Sequence, residues 1–151
     1  MHRELNLNSF QLKKLLDFIA YYRANINKIN LSLSDDGYYG PEYECKVRDY
    51  FHHCAAGVEW AGILHDGAVV GATHISREYI EGNVREDSFI DIWEHRFYQY
   101  REGRKELFAP YCKNCEHWDL CEGGGFHMIS QYKYGIDKCA YLKLQEGEKD
   151  G

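Results

Sequence analysis

Residues 112–125 read CKNCEHWDLCEGGG, and this segment shapes the expectations for the rest of the chain. Cys112 and Cys115 form a C-x2-C pair, Cys121 follows after five intervening residues, and Cys139 follows after seventeen more. Two cysteines three positions apart can bind one metal from a turn, and later segments can supply a third and a fourth ligand. The glycines at 123–125 let the backbone approach a bulky inorganic core. The spacing predicts a four-thiolate centre.

The chain has six cysteines in 151 residues, and Cys45 and Cys54 lie apart from the other four. An even number permits disulfides, but residues 1–8 contain no apolar stretch typical of a secretory signal, and cytosolic thiols stay reduced. Reduced thiolates suit zinc and iron–sulfur centres. For Cys45 and Cys54 two interpretations remain open: buried small apolar side chains, or a partial metal site assisted by one of the nearby histidines, His52, His53 or His74.

The composition is that of a globular protein and excludes several functional classes. Hydrophobic residues make up 44% of the chain, charged residues 28%, and the formal net charge is −6. The acidic balance disfavours nucleic-acid binding, which needs a basic face. No apolar run approaches the roughly 18 residues that a membrane span requires. We therefore expect a soluble cytoplasmic protein without a nucleic-acid or membrane partner.

The first forty residues predict a helix followed by a strand. Apolar residues recur at helical spacing from Asn8 to about Arg23, and Asn8 with Gln11 can cap the start of this helix. Residues 26–34 alternate and then end in Asp35-Asp36-Gly37, a pattern typical of a strand leading into a turn. Such a pair looks like the closing part of a larger parallel α/β array.

The middle of the chain predicts a hairpin and a helix. Residues 58–64 and 68–73 flank His65-Asp66-Gly67, and an Asp-Gly turn between apolar runs is a strong hairpin signal. Ser88 and Asp91 form a plausible capping pair for a helix. The aromatic residues on one face of this helix, Phe89, Trp93 and Phe97, belong to the core by default, and so does Trp60. The charged residues near the helix face solvent by default; these are Arg77, Glu78, Arg85 and Glu86.

Short or irregular segments complete the prediction. Residues 41–53 read as a linker with a short helix around 44–51, another short helix is expected near 126–134, and 145–151 reads as a frayed polar tail. His127 follows the glycines, where ordinary packing and a hydrogen bond towards a cluster or peptide are both open. No nucleophile motif or phosphate-binding loop occurs, so no catalytic residue is assigned.

The segment from Cys54 to Cys139 resembles a SPASM domain, the C-terminal auxiliary-cluster domain of radical S-adenosylmethionine (radical SAM) enzymes that modify peptides and proteins. The family pattern is a cysteine, nine to fifteen residues, a glycine, four residues and a second cysteine, then C-x2-C-x5-C-x3-C and a final cysteine. Seven features carry the resemblance besides the hairpin and the Asp91-Ile92-Trp93 helix: Cys54, Gly67, the run Gly82-Asn83-Val84, Cys112, Cys115, Cys121 and Cys139.

Two family cysteines are absent, since Ala72 and Gly125 stand at their positions. The resemblance implies that cysteines at these two positions would ligate a first auxiliary cluster together with Cys54. It also implies that Cys112, Cys115, Cys121 and Cys139 ligate a second cluster, and this set is complete. We therefore expect one auxiliary [4Fe–4S] cluster, fully ligated by protein, that relays electrons or shapes a peptide site.

The C-x3-C-x2-C triplet that radical SAM chemistry requires is also absent. The chain is therefore not expected to be catalytic alone, and S-adenosylmethionine is expected only in a full-length parent. The predicted class is α+β: a small β-hairpin, helices and a cysteine-ligated loop region, after a terminal piece of a partial α/β barrel. The predicted boundaries are 1–40 for the barrel piece, 41–53 for the linker, 54–144 for the SPASM-like domain and 145–151 for a disordered tail.

Three interpretations of function follow. In the leading one, the chain is the C-terminal part of a radical SAM/SPASM enzyme, and its partners are an upstream barrel and a peptide or protein substrate. In the second, the same four cysteines hold zinc in a non-catalytic module that binds another protein. The third is a free-standing docking domain that has lost its barrel.

Overall fold

The computed structural model describes residues 7–26, 28–34, 37–51, 53–128 and 139–149. The chain divides into two compact units, one formed by Met1–His52 with Ile136–Gly151 and the other by His53–Gly135. Helices and a small antiparallel sheet together make the protein α+β, as predicted. No helix in the described ranges is long and apolar enough to cross a bilayer.

Helix α1, Ser9–Asn25, organises the first unit and confirms the predicted helix. The Asn8 side chain accepts a hydrogen bond from the Gln11 N–H at 2.9 Å, and the Gln11 side chain accepts one from the Asn8 N–H at 3.0 Å. This reciprocal cap satisfies two N–H groups that the helix itself cannot pair. One face buries Leu12, Leu16 and Ile19.

The predicted strand over 26–34 is wrong for the residues that the structure describes there, because 28–34 contain no strand. The Leu33 N–H donates to the Val47 carbonyl at 3.1 Å, which ties this segment to α2, Glu44–Val47. Alternating polarity predicts one buried side, but a strand also needs a neighbour for its backbone groups. The described residues of 1–40 thus do not show the predicted barrel piece, and Asp35 and Asp36 of the predicted turn lie outside the described residues.

Two features complete the first unit. Arg48 and Glu44 form a fully buried ion pair, with Nε and Oε2 3.7 Å apart, and Arg48 also donates to the Gly37 carbonyl at 3.0 Å. Helix α6, Ala140–Lys149, extends past residue 145, where the polar tail was predicted to begin. Leu144 is buried in the core that α1 forms, and such packing outweighs a polar local sequence.

The second unit contains the predicted hairpin, widened to three short strands. β1, Gly62–Ile63, pairs with β2, Ala68–Val70, which pairs with β3, Gly82–Asn83, all antiparallel. The registers set Ile63 opposite Val69 and Val69 opposite Gly82. Gly67 turns the hairpin at a φ of +86°, a left-handed conformation that favours glycine. The strands are shorter than the apolar runs that predicted them.

An aromatic core lies beside this sheet. Phe97, Tyr100, Phe108 and Phe126 are buried, and the rings of Tyr100 and Phe126 stack with centroids 4.2 Å apart. The Tyr100 hydroxyl donates to the Tyr79 carbonyl at 3.0 Å.

Helix α3, Phe89–His95, packs its predicted aromatic face on this core. Phe97 is buried just beyond the end of α3, and Phe89 and Trp93 are partly buried. Ser88 is the N-cap residue, but its side chain makes no cap hydrogen bond, so the predicted pairing with Asp91 is wrong. Trp60 is 54% exposed rather than in the core; it follows the turn at 57–59 and pairs with Ala56 in an isolated bridge ahead of β1. The charged residues predicted to face solvent do so: Arg77, Glu78, Arg85 and Glu86.

Candidate metal centre

Three of the four predicted ligands lie on one helix–turn–helix segment of the second unit. Helix α4, Arg104–Cys112, ends at Cys112, and α5, Trp118–Cys121, ends at Cys121. Cys115 lies in the turn between them, where its N–H donates to the Cys112 carbonyl at 3.0 Å and its carbonyl accepts from the Trp118 N–H at 3.2 Å. All three cysteines are half-buried, so they are accessible to a metal that enters from solvent.

A left-handed loop follows Cys121. Glu122, Gly123 and Gly124 all have positive φ angles of 48°, 84° and 78°. A Cβ atom on Gly123 would lie 2.3 Å from the ring of Phe108, so this position needs glycine for space as well as for conformation. The Gly124 N–H donates to the Cys121 carbonyl at 2.8 Å, which closes the loop on the cysteine.

Arg104, at the start of α4, holds the same loop from inside. Its Nε donates to the Glu122 carbonyl at 2.7 Å, and its Nη2 donates to the Gly124 carbonyl. The guanidinium also lies over the ring of Phe108, 5.2 Å from its centroid. Nothing in the sequence distinguished this residue, since REGRKE reads as a solvated run and the contact with the loop is long-range.

Cys54 is distant from this loop in sequence but contacts the backbone that follows it. The Phe126 N–H donates to the Cys54 Sγ at 3.2 Å, so the thiol caps the backbone directly after the glycines. Cys54 is half-buried and packs against the aromatic core, whereas Cys45 is exposed on α2. The interpretation of both residues as buried apolar side chains is therefore wrong for Cys45, because α2 turns it towards solvent.

The histidines near Cys54 and the glycine loop differ in their exposure and contacts. The rings of His74 and His127 meet edge to face with centroids 5.2 Å apart. His53 is exposed, with Nε2 3.9 Å from a carboxylate oxygen of Glu59. His52 lies outside the described residues. The sequence did not predict the contact between His74 and His127, which joins the loop after β2 to the segment after the glycines.

Cys139 belongs to the first unit, where it directly precedes α6. No disulfide joins any of the six cysteines, all of which lie in the described ranges. Within those ranges, no three histidine, cysteine or acidic side chains are grouped closely enough to hold a metal ion. The ligand set of Cys112, Cys115, Cys121 and Cys139 therefore stays a prediction, with three of its members on one local segment.

Comparison with known protein families finds a match within the second unit. Residues 54–116 match the SPASM family, an iron–sulfur cluster-binding domain. The match is consistent with a SPASM domain, and it covers somewhat less than half of the chain. It includes Cys54, Cys112 and Cys115 and ends before Cys121. No curated protein and no solved structure matches the chain significantly.

The donor types in residues 104–122 suit an iron–sulfur centre, although the described side chains are not grouped as a metal site. Cysteine thiolates are the usual ligands of such clusters. A centre bound by thiolates is anionic. The buried guanidinium of Arg104 donates a hydrogen bond to the carbonyl of Glu122, the residue directly after Cys121. The segment thus supplies both soft donors and a nearby positive charge.

Proposed function

We propose that this chain carries an auxiliary [4Fe–4S] cluster on Cys112, Cys115, Cys121 and Cys139 and serves a radical SAM enzyme that modifies a peptide or protein. The observation that carries the proposal is the SPASM match over 54–116, within which α4 and the following turn present Cys112 and Cys115. When bound, such a cluster supplies a one-electron redox centre.

The chain's own residues would hold this centre and separate it from water. The Cys115 N–H is already bonded to the Cys112 carbonyl, and the Gly124 N–H to the Cys121 carbonyl, so the backbone around the thiols is fixed before a ligand binds. Phe108 and Trp118 pack against each other beside this segment, with ring centroids 6.4 Å apart. Four protein thiolates leave no iron open, which favours electron relay or positioning of a substrate over direct binding of one.

Initiation of radical chemistry is assigned to a separate barrel. The chain has no C-x3-C-x2-C triplet, so reductive cleavage of S-adenosylmethionine requires a segment or subunit that contains it. A flanking reading frame that encodes this triplet would support a single enzyme with an N-terminal barrel. A separately encoded barrel that binds this chain would instead support an accessory subunit.

The test of the cluster is the metal and sulfide content of protein purified without oxygen. We expect about four irons and four sulfides per chain, together with the broad brown absorbance of a cubane cluster. One zinc without sulfide would contradict the proposal and favour a structural module, because zinc takes the same four thiolates in tetrahedral geometry. Eight irons would contradict the assignment of a single cluster.

A further inference from the structure

His74 and His127 come from distant parts of the sequence and meet in the second unit. His74 lies in the segment after β2 and is exposed, whereas His127 lies just after the glycines and is half-buried. Their rings meet edge to face, with centroids 5.2 Å apart. The fold, and not the local sequence, therefore brings two imidazoles to the same point.

Each of these histidines is next to a residue that is fixed in the aromatic core. Ile75 directly follows His74 and is 4% exposed, and Phe126 directly precedes His127 and is fully buried. The Phe126 N–H also donates to the Cys54 Sγ at 3.2 Å. Ile75 and Phe126 belong to the same core, so the backbone at both histidines is held in place and only side-chain torsions are left to adjust.

The separation of the two rings suits a metal ion that binds both. In protein zinc sites the ion lies about 2.0–2.1 Å from each imidazole nitrogen, and the centre of the ring lies roughly 1 Å behind that nitrogen. Two imidazoles on one tetrahedral ion therefore have ring centres roughly 5 Å apart. The observed distance between the centroids of His74 and His127 is 5.2 Å.

The donor set defines the kind of ion. Neutral imidazole is the commonest metal ligand in proteins and suits divalent zinc, copper and nickel. Within the described ranges, no third histidine, cysteine or acidic side chain joins the pair to form a larger group. Two protein ligands leave the other coordination positions of the ion to water or to a small ligand.

We propose that His74 and His127 together bind one divalent transition-metal ion of the zinc type, which clips the segment after β2 to the segment after the glycines. This site uses none of the four cysteines of the proposed cluster, so it goes beyond the proposed function. An ion that binds the folded chain better than the unfolded one stabilises the fold. The competing explanation is aromatic packing, since rings also meet edge to face without a metal.

Zinc is the probe, and because it also binds thiolates, the measurement must report on imidazole nitrogens. The reduced full chain is isotope-labelled at its histidines and titrated with zinc without oxygen, and the ring nitrogens are followed by NMR. We expect the signals of His74 and His127 to shift together at the same zinc concentration, because one ion binds both. The signal of His95, at the exposed end of α3, should not shift with them.

His74→Phe separates metal binding from ring packing. Phenylalanine keeps an aromatic ring at this position but has no nitrogen that can bind a metal. In this variant the His127 signal should need a several-fold higher zinc concentration to shift, and zinc should raise the free energy of unfolding less than in the parent. His95→Phe, at an exposed position, is the matched control and should respond to zinc as the parent does.

A parent in which neither histidine signal responds to zinc, or only one of them does, overturns the proposal. An unchanged His127 response in His74→Phe also overturns it, because packing then accounts for the ring contact. If His74→Phe does not fold, His127→Gln replaces it and the His74 signal is followed in the same way. The iron and sulfide content of the parent tests the proposed function separately, so either proposal can fail without the other.

Discussion

The Phe126 N–H donates to the Cys54 Sγ at 3.2 Å and thereby joins the first residue of the SPASM match to the segment that follows the glycines. The cysteine is half-buried, and Phe126 is fully buried. A sulfur in this role satisfies a backbone donor that would otherwise be left unpaired at the edge of the aromatic core. Cys54 therefore has a structural role in this chain.

Replacement of Cys54 by alanine should lower the free energy of unfolding by about 1 kcal/mol, because the buried N–H of Phe126 loses its acceptor. The iron content should not change, since Cys54 is not among the four proposed ligands. Chemical denaturation and iron analysis of the same preparations test both statements. Cys45→Ala, at an exposed position, is the control and should change neither quantity. Loss of iron from Cys54→Ala would make Cys54 a ligand.

Tyr100 leaves no room for a side chain at Gly71. A Cβ atom on Gly71 would lie 2.2 Å from its ring, and the ring is fully buried, so it cannot move away. Gly71→Ala should therefore destabilise the protein by about 1–3 kcal/mol in a denaturant titration.

Gly103→Ala is the control for this steric argument. Its Cβ atom would lie 2.4 Å from the ring of Tyr98, but that ring is 52% exposed and can swing into solvent. Gly103→Ala should lower the free energy of unfolding by less than about 0.5 kcal/mol. Equal destabilisation by the two substitutions would show that the burial of Tyr100 does not decide the effect.

Local signals were sufficient to predict several elements of the fold. The reciprocal cap of Asn8 and Gln11 and the Asp-Gly turn at Asp66 and Gly67 depend on residues close in sequence, and both are present. The cysteine spacing predicted the resemblance to the SPASM family that the match over 54–116 supports, because the spacing is itself a local pattern. Alternation over 26–34 failed as a strand predictor because pairing depends on a neighbour that the alternation does not specify.

Long-range contacts could not be predicted in this way. The burial of Arg104 depends on carbonyls eighteen and twenty residues further along the chain. The contact between Cys54 and Phe126 spans 72 residues, and a cysteine alone gives no sign of its hydrogen-bond donor. The exposure of Trp60 and the extension of α6 past residue 145 were missed for the same reason, because packing decides both.

Glu81 should make the stability of the protein depend on pH. Burial raises the pKa of its carboxyl to about 7 from the ordinary 4.5, against the opposing charges of Arg101 and Arg96. Between these values the unfolded chain has already lost the proton that the folded chain retains, so the free energy of unfolding falls as pH rises from about 4.5 to about 7.

Glu81→Gln removes this dependence, because the amide needs no proton. The variant should be more stable than the parent by roughly 2 kcal/mol at pH 8, after allowance for partial solvent exposure, and equally stable near pH 4. Urea titrations at both pH values measure the difference. Glu86→Gln, at an exposed carboxylate, should match the parent at both. A constant difference for Glu81→Gln at the two pH values would contradict the assignment.

Cys121 is the proposed ligand whose replacement should best distinguish loss of the proposed cluster from loss of the fold. It ends α5, and its carbonyl accepts the Gly124 N–H, so the backbone of the glycine loop is held by contacts that do not use the thiol. Cys121→Ser should therefore lose most of its iron and sulfide, because an alcohol is a poor ligand for a soft metal centre. Its circular dichroism should stay close to that of the metal-free parent. Cys45→Ser, on the exposed side of α2, should keep the parental iron content. Equal iron loss in both variants, or full iron retention in Cys121→Ser, would contradict the ligand set, and iron and sulfide analysis distinguishes these results.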